Sequence, residues 1–229
     1  IKLKGHEKCV STIPLTITAN LLGHKTNLKF RGIKSVFLKF KESQILPNNV
    51  NWLYYDSDKV VFNRVTETKT MSKNTSPADE TILTAEITFS KNDKIDKMSD
   101  KKLELLVKNQ LLETGLTKNK KFIESSINSE NFVYPVQTKG YNEELSVAKS
   151  FVGKFEQLYS IGTGGEFNYA DSQVLFHKAF DIVDIFCGKD SKSTQVVKES
   201  KIEKMENPIN INSRIIGEDH PAYIIAEIG

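Results

Sequence analysis

Cysteine and histidine are scarce in this sequence. The 229 residues include two cysteines, Cys9 and Cys187, and four histidines, and neither type is spaced as a pair or a cluster. This spacing excludes a recognisable zinc site or disulfide framework, and we assign no metal ligands. Isolated cysteines are typical of a reducing compartment, so we predict a cytoplasmic protein.

An excess of one charge and long apolar runs are also lacking. The formal net charge is +3 and acidic and basic residues are interleaved, which argues against a nucleic-acid partner. No apolar run approaches the roughly 20 residues that a membrane span needs, so we expect no span. The composition, 38% hydrophobic, is that of a globular chain with material for one sizeable core, or for one core and a fragment of a second.

The two ends of the sequence predict a fragment of a longer polypeptide. The chain opens on Ile1 within a polar stretch, and it closes on a short apolar run, residues 224–226, followed by Glu227. Such a run is typical of a buried strand that carries a side chain into a site. A buried strand needs paired neighbours because unpaired backbone groups are costly, so we expect missing sequence at both ends.

Strand patterns dominate the first part of the chain. Residues 9–15 predict a strand that ends at Pro14, and residues 17–23 predict a short helix that ends at Gly23. Partial alternation, with β-branched and aromatic residues, predicts strands within residues 31–40, 51–65 and 81–93. Together these segments indicate a sheet of at least three or four mostly antiparallel strands.

Helical periodicity follows. Residues 98–116 carry apolar positions at helical spacing, with Ser99 or Asp100 as N-cap and Gly115 just past the end. Residues 131–141 predict an extended segment, and residues 142–155 a shorter helix with Asn142 as N-cap. The polar stretch 189–207 predicts a linker, so residues 208–229 would belong to a different domain.

The block from residue 158 to residue 187 predicts a strand, a glycine turn (Gly162 to Gly165) and a helix capped by Asp171. Such a turn aims backbone N–H groups and the positive end of a helix at one point, where an anion or an electron-rich ring could bind. Glycines allow close approach because they carry no Cβ. An ordinary strand-to-helix connection has the same pattern, so both interpretations stay open.

Aromatic residues with one cation form a second candidate site. Tyr54, Tyr55 and Arg64, together with neighbouring aromatic residues, could line a substrate pocket in which Arg64 pairs with an anionic group. Alternatively, alternate residues of these strands face a core and Arg64 extends to solvent.

The order of these motifs resembles a known family. The segments that carry the resemblance are "CVSTIPL", "LKFRGIKSVFLKF", "NWLYYDSDKVVFNRV", "NFVYPVQTKGY" and "LYSIGTGGEFNYADSQ". Over about residues 7–187 they resemble the second half of the FAD-dependent amine oxidase superfamily, on the protoporphyrinogen-oxidase-like and UDP-galactopyranose-mutase-like branch. The resemblance implies an α/β (α+β) fold, in which a partial FAD-binding domain carries an inserted antiparallel sheet. That sheet would cover about residues 28–134, and residues 158–187 would be the last FAD-domain strand and helix.

The resemblance also implies a cofactor, FAD, beside the glycine turn. The implied contacts come from Gly162, Thr163, Gly164, Asp171, Ser172 and Gln173. Relatives usually carry an arginine where Thr163 stands. The threonine in its place removes one expected contact to flavin or phosphate. The family's N-terminal dinucleotide fingerprint is absent, so we expect this chain by itself not to hold FAD tightly and to be inactive alone.

The tail "INSRIIGEDHPAYIIAEIG" resembles the start of bacterial N-acetylneuraminate synthases. That resemblance implies the first strand of a β/α barrel, in which Glu227 would serve catalysis once the barrel is complete. The complete barrel would use a divalent metal and condense phosphoenolpyruvate with an N-acetylated sugar.

The leading hypothesis is therefore a fragment of a FAD-dependent oxidoreductase. Its substrate would be a sugar, nucleotide sugar or related metabolite of surface-polysaccharide or nonulosonate biosynthesis. The alternatives are a synthase-type transferase with a degenerate flavin half, and a non-catalytic scaffold.

Overall fold

A computed structural model describes residues 7–188 and two short strands at residues 209–211 and 214–216. The chain divides into two compact units, residues 1–175 and residues 176–229. The architecture is mixed α/β with parallel and antiparallel sheets, as the sequence predicts. The predicted linker, residues 189–207, lies outside the described residues.

The regular elements follow one another in a mixed order. The strands are β1 (Cys9–Ser11), β2 (Phe30–Phe40), β3 (Trp52–Tyr54), β4 (Arg64–Glu67), β5 (Thr81–Phe89), β6 (Phe122–Pro135), β7 (Leu158–Ser160), β8 (Ile209–Ile211) and β9 (Arg214–Ile216). The helices are α1 (Leu15–Leu21), α2 (Thr68–Met71), α3 (Asp100–Glu113), α4 (Tyr141–Val152), α5 (Gly162–Gly165) and α6 (Ser172–Phe186), with a 3-10 turn at Lys73–Thr75.

Five strands form an antiparallel sheet in the order β3-β4-β5-β2-β6. Burial alternates strictly along β5, and along β2 from Arg31 onward, because successive side chains of a strand point to opposite faces. One face, which we call the closed face, is fully buried against α3 through residues that include Val36, Leu38, Phe40, Val65, Leu83, Ala85, Ile87, Leu103, Val107 and Leu111. The other face, which we call the open face, carries half-buried residues that include Phe37, Lys39, Arg64, Ile82, Thr84 and Glu86.

A smaller layer surrounds a parallel strand pair. β1 and β7 pair in parallel, with Cys9 opposite Leu158 and Ser11 opposite Ser160. The core of this layer comes from α1, the loop before β2, α4 and the segment after the glycines, through Leu15, Ala19, Leu28, Ala148, Val152 and Phe167. The ring of Phe30, the first residue of β2, packs edge-on against Phe167 with centroids 4.9 Å apart. The sheet and the glycine turn are therefore packed together within the first unit.

Several predicted bounds differ from the structure. β6 begins at Phe122, whereas the extended segment was predicted only from residue 131, because polar residues hide the alternation. The prediction of Asn142 as N-cap is wrong: Gly140 occupies the cap with φ +84°, and the helix begins at Tyr141. Left-handed backbone suits glycine, which has no Cβ, so the chain turns into the helix earlier.

In the second unit, β8 and β9 pair as an antiparallel hairpin, with Ile209 opposite Ile216. Residues 217–229, including Glu227 and the predicted barrel strand, lie outside the described residues.

Candidate functional site

The glycine turn lies at the carboxyl ends of two parallel strands. β1 and β7 end side by side at Ser11 and Ser160, and the Ile161 N–H extends the pairing by donating to the Ser11 carbonyl oxygen at 2.9 Å. The chain then forms the single helical turn α5. In open α/β sheets, ligands bind in the crevice outside the carboxyl ends of parallel strands. This edge is therefore a candidate ligand site.

Only the first glycine of the turn leaves open space. Gly162 has φ +83°, and no atom lies within 4 Å of the position that a Cβ would take. A Cβ at Gly164 would lie 3.4 Å from Pro14 backbone atoms, and one at Gly165 would lie 3.0 Å from the Ser160 hydroxyl. A Cβ at Gly165 would thus be crowded, whereas one at Gly164 would make ordinary van der Waals contact. A ligand contact at Gly164 stays a prediction.

Hydroxyl groups line the same strand ends. Ser160 Oγ donates to the Gly165 carbonyl oxygen at 2.8 Å, and the Ser11 and Thr18 hydroxyl oxygens lie 3.2 Å apart. Thr16 Oγ1, in the first turn of α1, is buried and has no hydrogen-bond partner among the described residues. The open backbone at Gly162 fits the close approach of a cofactor.

The remaining predicted cofactor residues stand at the entry to α6. The Asp171 carbonyl oxygen accepts from the N–H groups of Val174 and Leu175, at 3.1 and 3.2 Å. Asp171, Ser172 and Gln173 are exposed, and Gln173 Nε2 donates to Asp171 Oδ2 at 3.4 Å. Thr163 accepts from Asn168 N–H through its carbonyl oxygen at 3.0 Å. Their contacts to a cofactor stay predictions.

Arg64 forms an ion pair on the open face. It lies directly opposite Glu86 in the register of β4 and β5, and its Nε donates to Glu86 Oε2. The hydrogen bond to Glu86 raises the pKa of Arg64 above its ordinary value despite partial burial. The guanidinium carbon lies 6.0 Å from the ring centroid of Tyr54, within the range of a cation–π contact.

Two further tyrosines complete this group. The rings of Tyr134 and Tyr169 lie 5.5 Å apart, and Tyr169 follows the glycine turn in sequence. Burial raises the pKa of Tyr134 above its usual value, and the neighbouring Tyr169 and Glu86 act in the same direction. We call Tyr54, Arg64, Glu86, Tyr134 and Tyr169 the tyrosine cluster.

The structure brings together Tyr54 and Arg64 but not Tyr55. The Tyr55 ring packs edge-on against Phe62 with centroids 4.9 Å apart, and Tyr55 packs against the core of the closed face. Glu86 and Tyr169 were missed by sequence reasoning. Glu86 carries a usable signal, since it is the charged residue in the middle of the otherwise uncharged strand β5.

A cavity of about 250 Å³ lies elsewhere, between the loop before β2 and the start of α4. Glu144 in its wall accepts from the Asn27 N–H at 2.7 Å and from Thr26 Oγ1 at 2.9 Å. These hydrogen bonds anchor the loop and lower the pKa of Glu144. Glu144 is therefore already engaged in holding the loop.

Metal and membrane binding have no counterpart in the part of the chain that the structure describes. Within residues 7–188, no group of three or more acidic, histidine or cysteine side chains is placed to hold a metal ion. The helices of this same region are too short or too polar for any of them to cross a bilayer.

Comparison with known proteins finds similarity in the fold. No protein-family model and no curated protein matches the sequence. Among solved structures, reduced UDP-galactopyranose mutase superposes with a TM-score of 0.70 at 19% identity, over 84% of this chain and 43% of that chain. A protein described as a protoporphyrinogen oxidase from Exiguobacterium sp. 255-15 superposes with a TM-score of 0.54 at 20% identity, over 68% of this chain and 36% of that chain.

This chain has the fold of part of these two proteins. It spans less than half the length of each. The fold expected from the sequence resemblance is thereby confirmed for the flavoprotein-like part. The synthase resemblance of residues 208–229 stays a prediction.

Proposed function

We propose that this chain is part of a FAD-dependent oxidoreductase that acts on a nucleotide sugar or a related small metabolite in the cytoplasm. The observation that supports the proposal is the open backbone of Gly162 at the carboxyl ends of β1 and β7. It lies within a fold shared with UDP-galactopyranose mutase and a protoporphyrinogen oxidase.

The residues of the strand ends would hold the cofactor. Bound FAD supplies the electron-transfer chemistry that side chains lack. Gly162 lets a ligand approach the backbone closely, because no Cβ intervenes and the space beside it is open. The N–H groups that begin α6, from Ser172 and Gln173, would favour a phosphate because the positive end of a helix attracts anions.

The open face of the sheet would hold the substrate. Tyr54 and Arg64 lie together there, in the same unit as the glycine turn. A tyrosine offers a flat apolar ring and a hydroxyl, which suits a ligand with apolar faces and polar edges. Tyr54 and Arg64 would therefore position a sugar or a related metabolite and exclude water from one side of it.

Flavin content of the full-length protein tests the proposal, with two glycine variants as a matched pair. Gly162 and Gly23 both have positive φ, +83° and +94°, and both have open space where a Cβ would lie. Alanine at either position should cost about 1 kcal/mol of stability through backbone strain. Only Gly162→Ala should lower the ratio of flavin absorbance near 450 nm to protein absorbance, because only that backbone would touch the cofactor.

Two results would count against the proposal. The first is a full-length wild-type protein that is colourless and stays so after reconstitution with FAD. The second is a Gly162→Ala variant that keeps the same flavin content as Gly23→Ala.

The transferase alternative rests on residues 208–229. Its catalytic candidate, Glu227, lies outside the described residues, and the divalent metal of the barrel stays a prediction of the resemblance. A colourless full-length protein that condenses phosphoenolpyruvate with an N-acetylated sugar would support this alternative. A colourless protein without that activity would support a scaffold.

A further inference from the structure

The charge of the tyrosine cluster is balanced by a single contact. Arg64 Nε donates to Glu86 Oε2, and the two side chains are 34% and 17% exposed. A guanidinium and a carboxylate that are paired and partly shielded from water form a nearly neutral unit. Such a pair attracts an anion only weakly. Arg64 is therefore poorly suited to bind a phosphate while Glu86 holds it.

The tyrosines add no charge. Burial raises the pKa of Tyr134, so its phenol stays protonated at neutral pH and can donate a hydrogen bond. Tyr54 and Tyr169 are 63% and 65% exposed, so their rings are accessible to a ligand. The cluster thus offers aromatic surface, a phenol donor and the outer edge of a neutral ion pair.

Lysines on the same side of the sheet also have acidic partners. Lys39 Nζ lies 2.8 Å from a Glu80 oxygen and 3.4 Å from a Glu124 oxygen. Lys41 Nζ lies 2.8 Å from Asp79 Oδ2. A further cation near this surface, Arg31, donates to Thr88 Oγ1 at 2.9 Å. The two lysines are thus paired with carboxylates, whereas Arg31 is held by a neutral hydroxyl.

We propose that Glu86 sets the specificity of the open face: by holding Arg64, it makes the tyrosine cluster select the uncharged, hydroxyl-bearing ring of a ligand rather than its phosphate. The proposal deepens the proposed function and rests on it for the substrate class. A carboxylate has about four lone-pair sites and Arg64 Nε uses one, so Glu86 can also accept from ligand hydroxyls. Arg64 can donate to the same ring through its remaining N–H groups, and tyrosine rings pack against C–H faces.

The test compares UDP with UDP-galactose by titration calorimetry on the full-length protein. The measured quantity is the ratio of the two affinities, which reports the sugar ring together with the extra negative charge that the terminal phosphate of free UDP carries. Glu86→Gln should reduce that ratio by about tenfold, because a charged hydrogen bond is lost. It should also tighten the binding of UDP alone and make that binding more sensitive to salt, since Arg64 is no longer neutralised.

Two further variants separate charge from fold. The double variant R64Q/E86Q is again neutral, so the affinity for UDP and its salt dependence should return to wild-type values while the sugar ratio stays low. Glu124→Gln removes a carboxylate from the same side of the sheet, away from the cluster, and should leave the ratio unchanged. Melting temperatures within a few degrees of wild type would show that each variant is folded.

The opposite pattern would overturn the proposal. If Arg64→Gln weakens UDP about tenfold while Glu86→Gln leaves the sugar ratio unchanged, Arg64 binds the phosphate. Equal wild-type affinities for UDP and UDP-galactose in a protein that contains flavin would also overturn it, although the oxidoreductase function would stand. A colourless protein that still shows the Glu86-dependent ratio would overturn the oxidoreductase function and leave this inference in place.

Discussion

The two faces of the five-stranded sheet use the same strands for different purposes. The closed face presents fully buried apolar side chains to α3. Its buried carboxylate, Glu67, accepts hydrogen bonds from neighbouring backbone N–H groups. The open face presents half-buried side chains, among them the Arg64–Glu86 pair. Neighbouring residues of one strand, such as Ile82 and Leu83, therefore belong to different environments.

The difference shows how one sheet separates stability from recognition. Apolar burial is non-directional and roughly proportional to area, so the closed face can carry most of the folding free energy. Polar and aromatic groups on a half-exposed surface contribute little to stability but can select a ligand. Substitutions on the closed face should therefore change unfolding, and substitutions on the open face should change binding.

The largest effect is expected at Leu83, at the centre of the closed face. Leu83 is fully buried and lies opposite Leu38 and Glu67 in the sheet register. Leu83→Ala should lower the free energy of unfolding by about 2 to 5 kcal/mol, since it removes buried methyl groups and leaves a cavity. Urea denaturation of the full-length protein, followed by circular dichroism, measures this.

The control for Leu83 is its neighbour on the same strand. Ile82→Ala, on the open face, should cost less than half as much, because this side chain is only half-buried. Equal losses from the two substitutions would show that the open face is packed as fully as the closed one.

A smaller loss is expected at Glu67. Its carboxylate accepts from the Ile45 N–H at 2.9 Å, from the Leu46 N–H at 2.6 Å and from the Thr81 hydroxyl. Glu67→Gln places an NH₂ group against these donors, so at least one loses its acceptor, at about 2 kcal/mol. The same urea titration checks it. As a control, Glu124→Gln at an exposed position should change stability by less than about 0.5 kcal/mol. If Glu67→Gln caused an equally small loss, the anchoring role of Glu67 would be refuted.

The smallest effect concerns the turn that leads into α3. Burial tends to raise the pKa of Asp93, but hydrogen bonds from the N–H groups of Asp96, Ser90 and Ile95 outweigh it and lower the pKa. A lowered carboxyl pKa contributes stability above its unfolded value, and this is lost as the pH falls through the folded value. Asp93→Asn should therefore cost about 1 kcal/mol at pH 7 and progressively less below about pH 4. Urea titrations at three pH values measure this difference, and a cost that does not change with pH would contradict it.

Local patterns predicted the elements whose own side chains alternate or repeat. β2 and β5 alternate between buried and half-buried positions, and α3 carries its apolar positions at helical spacing. Gly115 ends α3 with φ +83°, as predicted from its place after the last apolar residue. The first part of β6 was not predicted, because its polar residues show no alternation. Residues 122–130 are a strand through their pairing with β2.

The candidate site could be predicted only in part from the sequence, and the rest required the tertiary structure. The chemistry of the glycine turn and the pairing of aromatic residues with a cation could be inferred from residue types. Tyr55 was grouped with Tyr54 by proximity in sequence, but adjacent residues of an extended chain point to opposite sides, and the Tyr55 ring packs against Phe62.

By itself, the sequence determined the alternation of β2 and β5, the periodicity of α3 and the glycines whose backbone must turn, because these depend on neighbouring residues. Only the tertiary structure decided that β1 pairs with β7, that Arg64 meets Glu86, and that Tyr134 meets Tyr169. These partners are distant in the chain, and only strand register and packing, which the whole fold sets, bring them together.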